Sequence, residues 1–340
     1  MNSVTISLFS RESHLSQILT GFQLLSKGEL LKIAVELCPD SWGGAFVQVK
    51  YRGRTLIYDM LDGYNMPEAI KARLDSCDFY FKRSFSEEKN RQLGLQWQGK
   101  IYPLGFNYHV SCRNHPMDKP FWKEEIKKIL GIENNMFSNT RFTSKLFEEL
   151  PKFNQKPQVL FLTRLWDLVD PVTNQITEEC RYINTMRIEI IRRLRAMEGD
   201  LHFVGGLPDS KLSHQWAPDL IMPQNLTYRR KYLGCMHKSD ICIGTMGLHE
   251  SIGWKTGEYV AAAKAIVNER FHYTVPGDFV PEKNYLEFET ADQCIAAVES
   301  LIASPEKVYE MKCRNREYYL NYLRPDVLIR NTLDIVDRNL

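Results

Sequence analysis

Residues 240–267 read DICIGTMGLHESIGWKTGEYVAAAKAIV. A short apolar, β-branched run is followed by a glycine-containing loop, an alanine-rich helical segment and a second apolar run. This order is typical of a strand, a loop, a helix and a parallel strand. We expect the helix to begin near Lys255 and the loop to lie at the carboxyl end of the first strand, where such sheets bind ligands.

The same alternation extends through the second half of the chain. Further strands are predicted at PQVLFLT (157–163), DLHFVGG (200–206) and YLEFE (285–289). A long helix is predicted at EECRYINTMRIEIIRRLRAM (178–197), and it stops at Gly199. Apolar strands alternating with helices predict a parallel sheet covered on both faces. The first half reads as mixed α/β, with a hairpin turning at Arg52-Gly53-Arg54.

The chain has 340 residues, which favours two domains. We place their polar linker within 107–157. We predict an α/β protein of two doubly wound, Rossmann-like domains, 1–155 and 156–322, that face a cleft. A last helix at 323–340 is separated from the preceding helix by Pro325.

The composition excludes several classes of protein. The net charge of +2 is too small for a dedicated nucleic-acid binder, and no stretch reaches the ~20 apolar residues that a membrane span needs. The first residues lack the layout of a signal peptide, so we expect a cytoplasmic protein, with peripheral contact at the inner membrane face as an option. The eight cysteines show no zinc-ligand spacing.

Two acidic residues frame the loop and helix of the opening stretch. Glu250 falls on the loop and Glu258 early in the helix, and amides around Gly253–Gly257 would point out of the helix N-terminus as an anion site. A carboxylate early in the helix can accept two hydrogen bonds from the vicinal diol of a ribose, and a loop carboxylate can bind sugar hydroxyls. The arrangement suits a nucleotide-diphosphate sugar.

At Glu250–Glu258 the chain resembles the retaining, E-x7-E group of GT-B glycosyltransferases. Three segments are similar to the family: YLGCMHKSDICIG before the motif, EYVAAAKAIV within and after it, and VPGDFVPEKNYLEF further on. The resemblance implies a hexosyltransferase-like enzyme in cell-envelope or polysaccharide biosynthesis. It implies that 1–155 binds the acceptor, that 156–322 binds the nucleotide sugar, and that the helix at 323–340 returns to the first domain. It also implies that Glu250 contacts the donor sugar, that Glu258 binds the ribose, and that the transferred sugar keeps its anomeric configuration.

The remaining residues are assigned by their place in the pattern. Arg164 and Lys255 join Glu250 as catalytic candidates that stabilise the leaving diphosphate. The donor-binding candidates, besides Glu258, are Gly205, Gly247, Gly253, Trp254, Thr256 and Gly257, and the acceptor-side candidates are Arg11, His14, Lys82, Arg83 and Asn107.

The chain departs from the family in some places, and alternatives remain open. The glycine-rich loop after the first strand is missing, and no lysine follows Arg164 closely. No D-x-D motif occurs, which favours transfer without a metal or other cofactor. A nucleotide-sugar epimerase of the same architecture, a non-catalytic sugar-binding homologue and a two-domain solute-binding protein are the alternatives. We interpret the basic residues Arg229, Arg230 and Lys231 as a solvated helix face. The alternative is that they contact an anionic surface.

Overall fold

The computed structural model describes residues 2–38, 43–118, 142–168, 174–197 and 201–340. The helix stop predicted at Gly199 and much of the predicted linker lie outside these ranges. The chain divides into two compact units, each described by itself below. The first comprises Met1–Leu61, Met66–Phe147 and Arg324–Leu340, and the second comprises Asp62–Asn65 and Glu148–Leu323.

The first unit is built on a mixed sheet. Its strands are β1 (Asn2–Leu8), β2 (Leu31–Leu37), β3 (Phe46–Tyr51), β4 (Arg54–Asp59), β5 (Phe79–Lys82) and β6 (Ile101–Pro103), in the order β2-β1-β3-β4-β5-β6. Strand β3 is antiparallel to both neighbours, and the other pairs are parallel. The hairpin turn is confirmed: Arg52 and Gly53 have φ of 48° and 75°, the left-handed pair that a tight hairpin requires.

Three helices follow strands of the first unit. They are α1 (Ser16–Lys27), α2 (Pro67–Asp75) and α3 (Glu87–Leu93). Helix α1 buries the apolar face that its periodicity predicts, including Ile18, Leu19 and Phe22. Short 3-10 turns occupy Ser13–Leu15, Leu95–Lys100 and Ser144–Leu146.

The second unit is the parallel sheet that the alternating pattern predicts. Its strands are β7 (Val159–Leu162), β8 (Phe203–Gly206), β9 (Ile241–Gly244), β10 (Ala265–Glu269) and β11 (Leu286–Phe288). Its helices are α4 (Asn174–Ala196), α5 (Lys211–Trp216), α6 (Gln224–Thr227), α7 (Arg229–Lys238), α8 (Trp254–Ala261), α9 (Ala291–Ile302) and α10 (Pro305–Tyr318). The predicted fold class, α/β with two sheets of mostly parallel strands, is confirmed.

The strand order of the second sheet locates a ligand position. The order is β11-β10-β9-β7-β8, so the chain runs from β7 to β8 on one side and then to β9 on the other. In open α/β sheets ligands bind at this switch point, outside the carboxyl ends of the two strands. Here those ends lead into residues 163–168 after β7 and residues 245–253 after β9.

The C-terminal helix, α11 (Pro325–Arg338), belongs to the first unit, as predicted. It packs on α1 at Gly21, where a Cβ atom would lie 2.2 Å from the carbonyl oxygen of Pro325, so only glycine fits. The hydroxyls of Tyr58 and Thr332 are 2.7 Å apart in the same contact. Pro325 is the first residue of the helix, where its missing N–H costs no hydrogen bond.

Candidate functional site

The segment after β7 carries Arg164. Its side chain is exposed, and its guanidinium lies 4.3 Å from the ring centre of Trp166. Asn184 of α4 holds the backbone of Trp166 through two hydrogen bonds of 2.8 Å. Desolvation lowers the pKa of Arg164, while the charges of Asp167 and Asp62 oppose the shift. Arg164 is therefore a positioned cation at the switch point of the second sheet.

A buried arginine connects the two strand ends. Arg187 of α4 donates from Nη1 to the carbonyl oxygen of Arg164 (2.6 Å), from Nη2 to that of Met246 (2.9 Å) and from Nε to Thr245 Oγ1 (2.9 Å). It is 6% exposed, and desolvation lowers its pKa to about 10, so it remains a cation at neutral pH. One guanidinium thus fixes the segment after β7 relative to the loop after β9.

Strand β10 supports the same loop from its other side. Glu269 is 2% exposed, and its Oε2 accepts a 2.8 Å hydrogen bond from the backbone N–H of Met246. Burial raises the pKa of Glu269, whereas hydrogen bonds from Met246 and Tyr182 and the charge of Arg187 lower it. The first residues of the loop are therefore held by one buried cation and one buried carboxyl group.

The loop itself contains two consecutive left-handed residues, His249 and Glu250, with φ of 60° and 59°. Each such residue costs of order 1 kcal/mol when it is not glycine, and such strain is concentrated at functional sites. The conformation is held by Tyr273, whose hydroxyl donates to the carbonyl of His249 (2.8 Å), and by Glu179, which accepts from the N–H of Glu250 (3.0 Å).

The side chain of Glu250 remains accessible on this loop. It is 44% exposed, and its Oε1 lies 3.8 Å from Nδ1 of His272. Gly63, in the short segment that packs with the second unit, permits this loop conformation, because a Cβ atom there would lie 2.7 Å from Cβ of His249. The carboxylate is therefore presented to solvent by a loop that its surroundings hold in a strained shape.

Helix α8 begins at Trp254, close to the predicted start, with Gly253 as its N-cap. No side chain caps its N-terminus, and the first amides of any helix have no partner within the helix. A Cβ atom at Gly253 would lie 3.4 Å from the carbonyl oxygen of Thr245, an ordinary van der Waals distance, so the packing there does not require glycine. The positive end of the helix dipole therefore lies at Gly253, where the loop after β9 ends.

Glu258 is the fifth residue of α8 and is 1% exposed. Its Oε1 accepts a 2.7 Å ion pair from Nη1 of Arg229, the first residue of α7, whose side chain is 22% exposed. Its Oε2 is buried and has no hydrogen-bond partner within the described part of the chain. Leaving a buried carboxylate oxygen without a hydrogen bond lowers the free energy of unfolding by about 1–3 kcal/mol or more.

Lys255 lies beside this carboxylate. Its Nζ is 3.8 Å from the ring centre of Tyr232, a cation–π contact. The side chain keeps some surface exposure, but its ammonium is densely surrounded by protein. Desolvation lowers the pKa of Lys255 to about 8, with Glu258 opposing the shift and Arg229 and Arg187 adding to it.

Tyr232 completes this group of side chains. Burial and then the charge of Glu258 raise its pKa well above the ordinary value, so its hydroxyl stays protonated. That hydroxyl lies 3.9 Å from Sδ of Met236 and also interacts with the carboxylate of Glu258. Tyr232 therefore supplies a ring face to Lys255 and a protonated hydroxyl beside Glu258.

The other donor-side candidates have structural contacts. Thr256 is buried, and its hydroxyl donates to Asn268 Oδ1 (2.9 Å). Gly257 is buried within α8, and Trp254 is half-buried at its first position. Gly205 lies on β8, where its carbonyl accepts from Arg195. The N–H of Gly247 donates to the carbonyl of Ser251 (2.8 Å) and closes the loop.

The acceptor-side candidates belong to the first unit and fall into two groups. Lys82 and Arg83 are buried; Lys82 is 0% exposed and donates to Asp59 (2.7 Å), so its charge stabilises the unit's interior instead of facing a ligand. Burial lowers the pKa of Lys82, and Asp59 opposes that shift. Both side chains are buried within the first unit, and their role on the acceptor side stays a prediction.

The second acceptor-side group lies together near the end of β1. Asn107 donates from Nδ2 to the carbonyl of His14 (3.1 Å), and its Oδ1 is buried without a partner among the residues described. Nδ1 of His14 lies 3.3 Å from the carbonyl oxygen of Met60. Arg11 is exposed in the segment between them and β1.

Sequence reasoning missed Arg187, Glu269 and the role of Arg229. A signal for Arg187 exists: Cys180, Ile183, Asn184, Arg187, Ile191 and Leu194 share one helical face by three- and four-residue spacing, and all are buried. Arg229 corrects the interpretation of 229–231 as a solvated face. Only Arg230 and Lys231 are exposed, whereas Arg229 binds Glu258.

The described ranges contain no cluster of three or more His, Cys, Asp or Glu side chains placed to hold a metal ion. They also contain no helix with the length and apolar character needed to cross a bilayer.

Comparison with known proteins gives structural likeness only. No protein-family model matches the chain, and no curated protein matches it. Among solved structures, the chain is similar to Anabaena Alr3699/HepE in complex with UDP-glucose, with 10% identity, 99% of this chain and 100% of that chain covered, and a TM-score of 0.46. It is also similar to a glycosyltransferase from Rickettsia africae, with 14% identity, 92% and 72% covered, and a TM-score of 0.44.

A third similar structure matches about half of the chain. The C-terminal domain of a group 1 family glycosyl transferase, LpcC, from Francisella tularensis matches with 13% identity. The match covers 52% of this chain and 96% of that domain, with a TM-score of 0.37.

Proposed function

We propose that the protein is a GT-B glycosyltransferase that moves a hexose from a nucleotide-diphosphate donor to a glycan or lipid-linked acceptor of the cell envelope. In this proposal the second unit binds the donor. Glu258 binds the ribose, Glu250 contacts the sugar, and Arg164, Lys255 and the α8 amides stabilise the leaving diphosphate. The acceptor is bound by residues of the first unit, among them Arg11, His14 and Asn107.

The observation that carries the proposal is the carboxylate of Glu258. It is buried in the second turn of a helix at the sheet's switch point, with one oxygen paired to Arg229 and the other unbonded in the described structure. A vicinal diol would supply the missing donor, and its second hydroxyl would compete with Arg229 for the other oxygen. We infer that the guanidinium of Arg229, whose side chain is 22% exposed, shifts when the ribose binds.

The diphosphate part of the proposal depends on three positive groups. They are the N-terminus of α8, Lys255 one residue inside it, and Arg164 on the neighbouring strand end. A helix N-terminus with a nearby cation is a ready site for phosphate. Charge developing on the departing diphosphate would be stabilised without a metal ion, which is the metal-independent mechanism that we propose.

Retention of configuration is proposed from Glu250. Its carboxylate is accessible on a strained loop that follows β9, and the E-x7-E resemblance assigns it to the donor sugar. The similar solved structures include HepE bound to UDP-glucose, a donor of the class proposed here. A lipid-linked acceptor would bring the protein to the inner face of a membrane, with Arg230 and Lys231 as exposed cations.

The proposal is tested in two steps. Thermal unfolding is measured with a panel of nucleoside diphosphates, since a ligand of the folded state raises the unfolding midpoint. Radiolabelled sugars on the stabilising nucleotide are then incubated with candidate acceptors, with and without EDTA. Transfer that survives EDTA supports the proposal; epimerised donor without transfer supports the epimerase alternative, and no stabilisation by any nucleotide contradicts both.

The lowered pKa of Lys255 predicts a pH dependence of donor binding. Below about pH 8 the ammonium is charged and attracts the diphosphate; above it the group becomes neutral. We expect the Kd for the nucleoside diphosphate to weaken about tenfold as pH rises one unit past this pKa. Calorimetric titration across this range measures the effect, and Lys255→Arg, which stays charged, is expected to give a flat profile.

The stability of the folded protein should change in the opposite direction. The unfolded chain binds this proton more tightly, because the ordinary pKa of lysine is 10.5. The contribution of Lys255 to the free energy of unfolding therefore rises as pH passes 8. A weakening of binding that parallels loss of folded protein would contradict the assignment.

A further inference from the structure

Strand β2 is an exposed edge of the first unit's sheet. In the part of the chain that the structure describes, it pairs with β1 alone. Its exposure increases along the strand: Leu31 is 5% exposed, whereas Val35 and Leu37 are 38% and 49% exposed. A seven-residue edge with exposed apolar side chains is a template for pairing with another strand.

The sequence of β2 is self-complementary when it is read against itself in the antiparallel direction. The strand reads L-K-I-A-V-E-L from Leu31 to Leu37. With Ala34 opposite its own copy, Lys32 stands opposite Glu36, Ile33 opposite Val35, and Leu31 opposite Leu37. Apolar residues thus meet apolar residues, and the opposite-charge pair Lys32–Glu36 occurs twice because of the two-fold axis.

We propose that β2 pairs antiparallel with β2 of a second copy of this chain, joining two sheets into one across a two-fold axis at Ala34. Directly opposed side chains in such a ladder lie about 4.5–5.5 Å apart at Cβ, within reach of both apolar contact and ion pairing. The exposed Val35 and Leu37 then pack on Ile33 and Leu31 of the second copy.

The charges favour a copy of the same chain over an unrelated edge. Charged residues on an edge strand usually oppose pairing, since they meet apolar or like-charged groups on a foreign strand. Lys32 and Glu36 are equidistant from Ala34, so in the two-fold arrangement each meets the opposite charge. A shift of the register by two residues breaks both pairs, which gives the interface a single register.

The first test exchanges the charges in the full-length chain. Lys32→Glu and Glu36→Lys each replace two opposite-charge pairs by two like-charge pairs, so we expect each to weaken the dimer Kd about tenfold or more in analytical ultracentrifugation. The double variant Lys32→Glu/Glu36→Lys should dimerise like the wild type. An equimolar mixture of the two single variants should form a heterodimer, which also shows that both are folded.

The second test fixes the register. In a Cys38→Ser background, Lys32→Cys/Glu36→Cys places cysteines directly opposite each other across the axis, within disulfide distance. Mild oxidation should give a covalent dimer. The matched control, Lys32→Cys in the same background, separates the two cysteines by four residues, about 13 Å along the strand, and should stay uncrosslinked.

The outcomes are decisive in either direction and are independent of the proposed activity. A wild-type dimer that the single exchanges weaken and the mixture restores supports the proposal. A chain that is monomeric at every concentration, a dimer unaffected by either charge exchange, or equal crosslinking in the control overturns it.

Discussion

Wild-type protein is expected to bind its nucleoside diphosphate at least about 100-fold more tightly than the 2′,3′-dideoxy analogue, and Glu258→Gln is expected to keep only a small part of this preference. The reason is that a carboxylate accepts two charged hydrogen bonds from the diol, each contributing about 1.5–3 kcal/mol, while an amide accepts fewer and weaker ones. Sugar transfer should fall by a similar factor. Calorimetry with the two nucleotides measures the discrimination directly.

The analogue serves as the control for folding. Glu258→Gln also weakens the ion pair with Arg229, so any purely structural effect would reduce affinity for both nucleotides in parallel. Arg229→Gln separates the roles further: it removes the competitor for the carboxylate and should preserve the preference for the ribose. If Glu258→Gln keeps the wild-type preference for the diol, the ribose assignment fails.

Much of the second unit could be predicted because its sequence follows simple periodicities. Apolar strands such as VLFL and ICIG are buried at every position, which is what a sheet covered on both faces requires. The start of α8 and the separation of the last helix at Pro325 also follow from local signals, a glycine N-cap and a proline that cannot continue a helix.

The buried charges could not be predicted from residue type. Lys82 follows three apolar residues in FYFK and lies fully inside the first unit, because Asp59 on the neighbouring strand neutralises it. That pairing depends on the register of β4 and β5, which the linear sequence does not show. The burial of Glu269 could not be predicted for the same reason, because its hydrogen-bond partners come from α4 and from the loop after β9.

The left-handed conformation of two loop residues could not be predicted either, for a different reason. Glycine or asparagine is the usual residue at positive φ, yet His249 and Glu250 adopt it in succession. Their conformation is imposed by Tyr273, Glu179 and the missing side chain of Gly63, which are distant in sequence. Tertiary contacts, not local preference, therefore determine how the Glu250 carboxylate is presented.

Arg187→Met is expected to lower the free energy of unfolding by about 3–5 kcal/mol, the range for removing one member of a buried charged network. The substitution leaves two carbonyl oxygens and a threonine hydroxyl without their donor, and it leaves Glu269 without its nearby cation. Arg187→Lys should recover only part of this loss, because an ammonium cannot reproduce the planar fork that spans three acceptors. Urea unfolding of each variant measures the effect.

A matched control lies on the same helix. Arg193 forms exposed ion pairs with Glu189 and Asp292, so Arg193→Met should change stability by less than about 1 kcal/mol. Because Arg187 also fixes Arg164 relative to the loop that carries Glu250, Arg187→Lys should weaken nucleoside-diphosphate binding even under conditions where the variant is fully folded. Equal stabilities for Arg187→Met and Arg193→Met, or unchanged affinity in Arg187→Lys, would show that the guanidinium does not organise the site.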